Sequence, residues 1–187
     1  IVHWDGTTWS PYNLVTTDRY RFYDLWGAAA NDIWAAGTHC YGSFDCDRML
    51  FRWDGAAWTP YTPSVANEGA RSPASPFNNS YWTGIWGTDA NNIWVVGGMN
   101  AAFAGFILKW DGVTWTQQWD GLYMGRDVWG ASADDVWVIG REYLHGLNRM
   151  FHWDGAAWSH QDIATNVPVE GLWAAPAGGA QRATGTA

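Results

Sequence analysis

The residues that could do chemistry in this chain are few, and they cluster away from its regular pattern. Asp45, Asp47, Glu68 and Glu142 stand in segments without strand character. Glycoside hydrolysis needs two carboxylates at a fixed separation, one of them with a raised pKa. No repeated or motif context singles out a pair here, and the chain has no Ser-His-Asp motif, no phosphate-binding glycine loop and no His-x-x-x-His spacing. Cys40 and Cys46 lie six positions apart in a Gly/Ser-rich stretch with no second pair to complete a zinc site. They read as a disulfide stapling one loop, and so as the mark of an oxidising compartment, secreted or at the cell surface. The expectation is a protein without catalytic residues, metal or cofactor.

The same segments offer a different chemistry. Trp82 and Trp119 are the two tryptophans of 17 that fall outside the repeat described below. Residues 38–48 supply His39 and Tyr41; residues 62–80, with Tyr81 just beyond, supply Arg71, Asn78 and Asn79; residues 141–149 supply Arg141, Tyr143, His145 and Asn148. Aromatic rings stack on the apolar face of a sugar, while Arg, Asn and carboxylates bond its hydroxyls. Trp82, Trp119, His39, Tyr41, Arg71, Tyr81, Arg141, Tyr143, His145 and Asn148 are therefore the candidate contacts for a glycan. Asn78-Asn79-Ser80 also matches a glycosylation acceptor, which matters only in a eukaryotic host.

What must position these residues is a repeated unit. Trp-Asp-Gly-x-x-Trp occurs at Trp4 to Trp9, Trp53 to Trp58, Trp110 to Trp115 and Trp153 to Trp158. An apolar-Trp-Gly element occurs at Trp26, Trp86 and Trp129, and again at Trp173 with Ala for Gly. After the first three comes Ile/Val-Trp, at Trp34, Trp94 and Trp137, running into a glycine. Each unit of roughly 43 residues reads as four short strands punctuated by Gly and Asp. Asp-Gly is a hairpin signal because glycine takes positive φ without strain, and the tryptophans on either side can face each other.

Repeats of this length and strand number predict an all-β β-propeller of four-stranded antiparallel blades, about four blades' worth. The expected single domain, 1–187, divides into the third and fourth strands of a shared blade (1–13), blades at 20–62, 81–119 and 123–162, and the first and a degraded second strand of the shared blade (169–187). Three arrangements satisfy that layout: a ring closed by pairing of the N- and C-terminal strands, a segment of a larger propeller, or a ring completed by another copy. Short turns at 28–31, 88–91 and 131–134 share one face with the Asp-Gly hairpins. The variable loops, 38–48, 98–105 and 141–149, and the insertion 62–80 fall on the other. Binding residues concentrate on variable loops held by a rigid scaffold.

The hairpins resemble two known things. His3-Trp4-Asp5-Gly6-Thr7-Thr8-Trp9 and His152-Trp153-Asp154-Gly155-Ala156-Ala157-Trp158 are similar to the Asp-box turn of sialidase-like repeat propellers, one residue shorter. They also resemble the Trp-Asp-Gly-x-Gly-Trp hairpin of small fucose-binding propeller lectins, without the second Gly. The whole unit resembles the Trp-Gly … Asp-Val-Trp-Ala-Val-Gly repeats of many secreted bacterial proteins. That resemblance implies a fold and no activity. The Arg, Glu and Trp that the fucose lectins use have no counterpart trio here.

Composition sets the outer bounds. With 48% hydrophobic and 15% charged residues the chain is of globular type. A net charge of −8 argues against nucleic acid and anionic membrane surfaces as partners, and no apolar run approaches the roughly 20 residues of a membrane span. The start, Ile1-Val2-His3-Trp4, reads as a mature form or an excerpt of a longer protein. One Lys against nine Arg, with many Ala and Gly, suggests a GC-rich bacterial source. The expected function is that of a secreted, lectin-like, carbohydrate-binding protein. The alternative is a structural or protein-interaction module that self-associates or completes its ring with a partner chain.

Overall fold

A computed structural model describes residues 1–12, 19–41, 46–66, 80–99, 104–142, 147–163, 169–174 and 181–185. Every element in it is a strand. In chain order these are β1 (Val2–Trp4), β2 (Trp9–Pro11), β3 (Arg19–Ala29), β4 (Asp32–Cys40), β5 (Cys46–Trp53), β6 (Trp58–Tyr61), β7 (Val65–Ala66) and β8 (Ser80–Asp89). They continue with β9 (Asn92–Met99), β10 (Ala104–Trp110), β11 (Trp115–Ser132), β12 (Asp135–Glu142), β13 (Asn148–Trp153), β14 (Trp158–Ile163), β15 (Val169–Ala174) and β16 (Gln181–Gly185).

The local unit is built by the Trp-Asp-Gly hairpin. In each copy the two tryptophans are cross-strand partners, with ring centroids 5.5, 5.8, 5.4 and 5.7 Å apart. The glycines adopt φ of 91° to 99°, where a side chain would be strained. The aspartate does more than start the turn. One oxygen of Asp54 accepts from the Ala56 and Ala57 N–H groups at 2.8 and 2.9 Å, and Asp5, Asp111 and Asp154 do the same. Glycine is also required where strands cross closely. A Cβ on Gly37 or Gly97 would run into the carbonyl oxygen of Arg21 or Tyr81.

The assembly of these units is not the radial propeller that the repeat predicts. Among the described residues β3-β4-β5-β6 form one four-stranded sheet, but β7 to β14 form a single eight-stranded sheet curled into a half-barrel. The expected boundary between the second and third blades vanishes inside β11. Its 18 residues pair with β10 through Leu122 and with β12 from Leu122 onward, through register shifts rather than a turn. No proline interrupts this stretch, and Trp119, Leu122 and Tyr123 favour an extended chain. Nor do the terminal strands close a ring. Among the described residues β1 pairs only with β2, and β15 only with β16. At the register position where β4 carries Trp34 opposite Trp26, β16 carries Arg182 opposite Trp173, so the edge lacks the aromatic that seals the other seams.

The core lies between sheets rather than around an axis. Trp34 and Leu50 of the first sheet pack with Trp82, Ile85, Val95 and Trp115 of the main sheet. Inside the curl, Trp94, Ile107, Val138 and Phe151 form a second cluster, and Val169 and Leu172 of β15 pack on Ile139 and Met150. Fully burying side chains of this kind contributes about 1.5–3 kcal/mol each. The seams are stitched by side chains. Asp24 accepts from the Ile85 N–H at 2.8 Å, Thr83 donates to the Gly125 carbonyl at 2.7 Å, and Asp127 accepts from the Leu172 N–H at 2.7 Å.

Candidate functional site

The strands bring the sequence-derived residues to very different places. Trp82 is fully buried in the core between the sheets, with the Arg48 guanidinium 5.1 Å above its ring. Trp119, paired with Ile107 in the β10–β11 ladder, is half-buried against Phe151 at 5.8 Å. Both tryptophans left outside the repeat therefore serve packing. Arg71, Tyr143 and His145 lie outside the described residues, as do Asn78 and Asn79. Arg141 and Asn148 are cross-strand partners at the end of β12 and β13, Arg141 exposed and Asn148 half-buried. Tyr81 lies 6.2 Å from Tyr23, edge to face.

His39 and Tyr41 do come together, with a third ring that the sequence did not single out. Tyr20 stacks on His39 at 4.5 Å, and His39 meets Tyr41 at 4.1 Å. Tyr20 and Phe22 both pack edge-on against Phe51, at 5.0 and 5.3 Å. The stack rises from the core to solvent: His39 is buried, while Tyr41 is 68% exposed. Cys40 lies between them and is bonded to Cys46 on the partner strand, as expected from their spacing. Tyr20 was legible only through register, because it faces His39 across the β3–β4 ladder.

A second concave feature lies between the β1–β2 hairpin and the first sheet. It is a groove of about 360 Å³ lined by His3, Tyr12, Leu25, Ile33, Trp53 and Trp58, with main-chain neighbours. The Tyr12 ring sits 4.7 Å from Trp53, and the Trp53 indole donates to the Ala30 carbonyl at 3.1 Å. The repeat sets Trp53 and Trp58 on either side of a hairpin turn and gives no sign of an opening.

Charged groups have structural partners rather than a reactive arrangement. The residue before the first hairpin tryptophan is His3, Arg52, Lys109 or His152. Arg52 lies 5.1 Å from the Trp34 ring centroid and pairs with Asp32 at 2.8 Å; Lys109 lies 4.9 Å from Trp94. His152 stacks on Trp137 at 3.9 Å, and Asp135 accepts from the Trp137 indole and lies 2.9 Å from His152 Nε2. Two half-buried carboxylates, Asp24 and Asp127, are engaged by main-chain N–H groups. Burial is the largest cause that raises both, Asp127 to about 6, and the charge of Asp24 adds to the rise at Asp127. Among the described residues no three His, Cys, Asp or Glu side chains are grouped to hold a metal ion, and no helix is long and apolar enough to cross a membrane. Asp45 and Glu68, two of the four carboxylates considered for hydrolysis, lie outside the described residues.

No protein-family profile and no curated protein matches the sequence, and the resemblances read from the hairpins stay at the level of local motif. Among solved structures the chain is similar to a fucose lectin from Kordia zhangzhouensis in complex with methyl-fucoside. The TM-score is 0.44 and the identity 15%, over 74% of this chain and 96% of that one.

Proposed function

We propose that the protein is a non-catalytic carbohydrate-binding protein, and that Tyr41 is the ring on which its glycan stacks. The observation that carries this reading is the exposed Tyr41, held at 4.1 Å on His39 and through it on Tyr20, beside the Cys40–Cys46 bond. An exposed aromatic is common, but one whose rotamer is fixed by a stack and a staple loses little entropy on binding. The apolar face of a pyranose matches such a ring. Arg141, Asn148 and Tyr81, with Arg71, Tyr143 and His145, remain proposed glycan contacts. The disulfide supports secretion or display at the cell surface.

The test is a glycan array probed with wild-type and Tyr41→Ala protein, with hits titrated by calorimetry. A shared terminal sugar bound by wild type and weakened at least about tenfold by Tyr41→Ala is the expected outcome. A hit unaffected by Tyr41→Ala would refute the site. A second reading, a protein-interaction or self-associating module, is favoured by the edges of β1 and β16, unpaired among the described residues, and by the exposed Trp4, Trp9 and Trp173. A concentration-dependent mass in light scattering would support it.

A further inference from the structure

The first and last repeats each leave a surface bare, and the two surfaces match. The apolar residue before each apolar-Trp-Gly tryptophan is Leu25, Ile85, Val128 or Leu172. Ile85, Val128 and Leu172 are buried, whereas Leu25 is 50% exposed. The glycine after the tryptophan follows the same rule. Gly87 and Gly130 are buried, because indoles from one repeat earlier lie on them. A Cβ on Gly87 would meet Trp26 at 2.8 Å, and one on Gly130 would meet Trp86 at 2.5 Å. Gly27 is exposed, and the atoms nearest to a Cβ there belong to its own hairpin, at Asp32 and Ile33. At the other end Trp26, Trp86 and Trp129 are half-buried, but Trp173 is 56% exposed. Among the described residues, β3 thus offers a socket without an indole, and β15 an indole without a socket.

The groove beside β3 belongs to the same vacancy. Its side chains Leu25, Ile33, Tyr12, Trp53 and Trp58 correspond to Ile85, Ile93, Tyr61, Trp110 and Trp115 one repeat on. That later set is closed. Trp26 and Trp34 of the preceding unit complete it, with Trp34 6.1 Å from Trp115. The β15–β16 hairpin carries the same two register positions: Trp173 stands where Trp26 does, and Arg182 opposite it where Trp34 does. The rings of Tyr12, Trp53 and Trp58 suit a guanidinium as well as an indole.

We propose that the groove and the β3 face dock the β15–β16 hairpin of a second copy of this chain, with Trp173 of that copy seated on Gly27 and Leu25. The chain's own hairpin is held against β11 and β12. Val169 and Leu172 pack on Ile139 and Met150, and Asp127 accepts from the Leu172 N–H at 2.7 Å. It leaves Trp173 exposed from that position, so the knob of one copy is available to the socket of another. The contact continues, between copies, the seams that β3 forms with β8 and β8 with β11. It is heterologous, and it builds dimers and then longer chains as concentration rises. It also lays β16 beside β1 of the other copy, which covers two strand edges unpaired among the described residues. The inference gives the self-associating reading a definite surface and needs nothing from Tyr41.

The test sediments the whole chain and two surface variants over a range of concentrations. Leu25→Arg spoils the socket and keeps the knob; Trp173→Ala removes the knob and keeps the socket. Wild type is expected to pass from monomer to dimer and longer chains. Each variant alone is expected to associate at least about tenfold more weakly. Their equimolar mixture is expected to recover a dimer and nothing larger, because only one intact knob meets one intact socket. An unchanged melting temperature checks that each variant is folded, and Leu25→Ser takes the place of Leu25→Arg if the charge unfolds the first sheet. A wild type that stays monomeric throughout would overturn the proposal together with the self-associating reading. Association that both variants leave unchanged, or a mixture that stays monomeric, would overturn this surface alone.

Discussion

Asp127 and the hairpin aspartates respond to pH in opposite senses. Burial raises Asp127 to about 6 in the folded protein. The folded state therefore holds its proton more tightly than the unfolded one. Its stabilising contribution is complete below the unfolded value near 3.8 and is lost as pH rises through about 6. The size is at most about 3 kcal/mol. Asp127→Asn should flatten the denaturation midpoint between pH 4 and 6.5; an unchanged slope would contradict the assignment. Main-chain N–H groups hold Asp5, Asp54, Asp111 and Asp154 below their usual range. Those contributions are present above the unfolded value and fade as pH falls through the lowered ones. Trp82 gives a second test at this scale. Its truncation to Ala should cost about 3–5 kcal/mol by opening a cavity, read as a large fall in melting temperature. A stable Trp82→Ala protein that had lost only glycan affinity would return Trp82 to the binding site.

At the scale of elements, the staple and the stack form one device. The Cys40–Cys46 bond joins β4 to β5 where the ladder ends, and Tyr41 leaves the sheet beside it. Closing so short a loop is worth about 2 kcal/mol in the chain-entropy picture. Replacing both cysteines by Ser should lower the melting temperature by several degrees and weaken Tyr41-dependent binding. A fall in stability with affinity intact would show that the stack orders Tyr41 without the bond. The hairpins were legible because everything that makes them, Trp, Asp and Gly at fixed offsets, lies within six residues. The side chains beside the second-strand tryptophans, Arg52 on Trp34, Lys109 on Trp94 and His152 on Trp137, show only once the registers are aligned. Trp82 was not legible. Nothing near it in sequence separates a buried indole from an exposed one, and it is Arg48, from another strand, that lies over its ring.

For the whole molecule, repetition in sequence does not fix how the units join. The strand turns are local, whereas the joins depend on strand edges and on residues far apart in the chain. β11 runs through one expected boundary although Asp120-Gly121 and Gly125 lie within 115–132, and the terminal hairpins stay separate where Arg182 stands in place of a tryptophan. Departure from the repeat, rather than the repeat itself, thus marks the proposed binding region, the stapled Cys40–Cys46 segment with Tyr41.

The most direct test of the central claim is the glycan array with folded wild-type protein beside Tyr41→Ala. The account predicts a coherent set of hits sharing one terminal sugar, competed by that free sugar and lost or strongly weakened when the Tyr41 ring is removed. A blank array from folded protein, with a mass that grows with concentration, would contradict it and make the unpaired edges of β1 and β16 the functional surface.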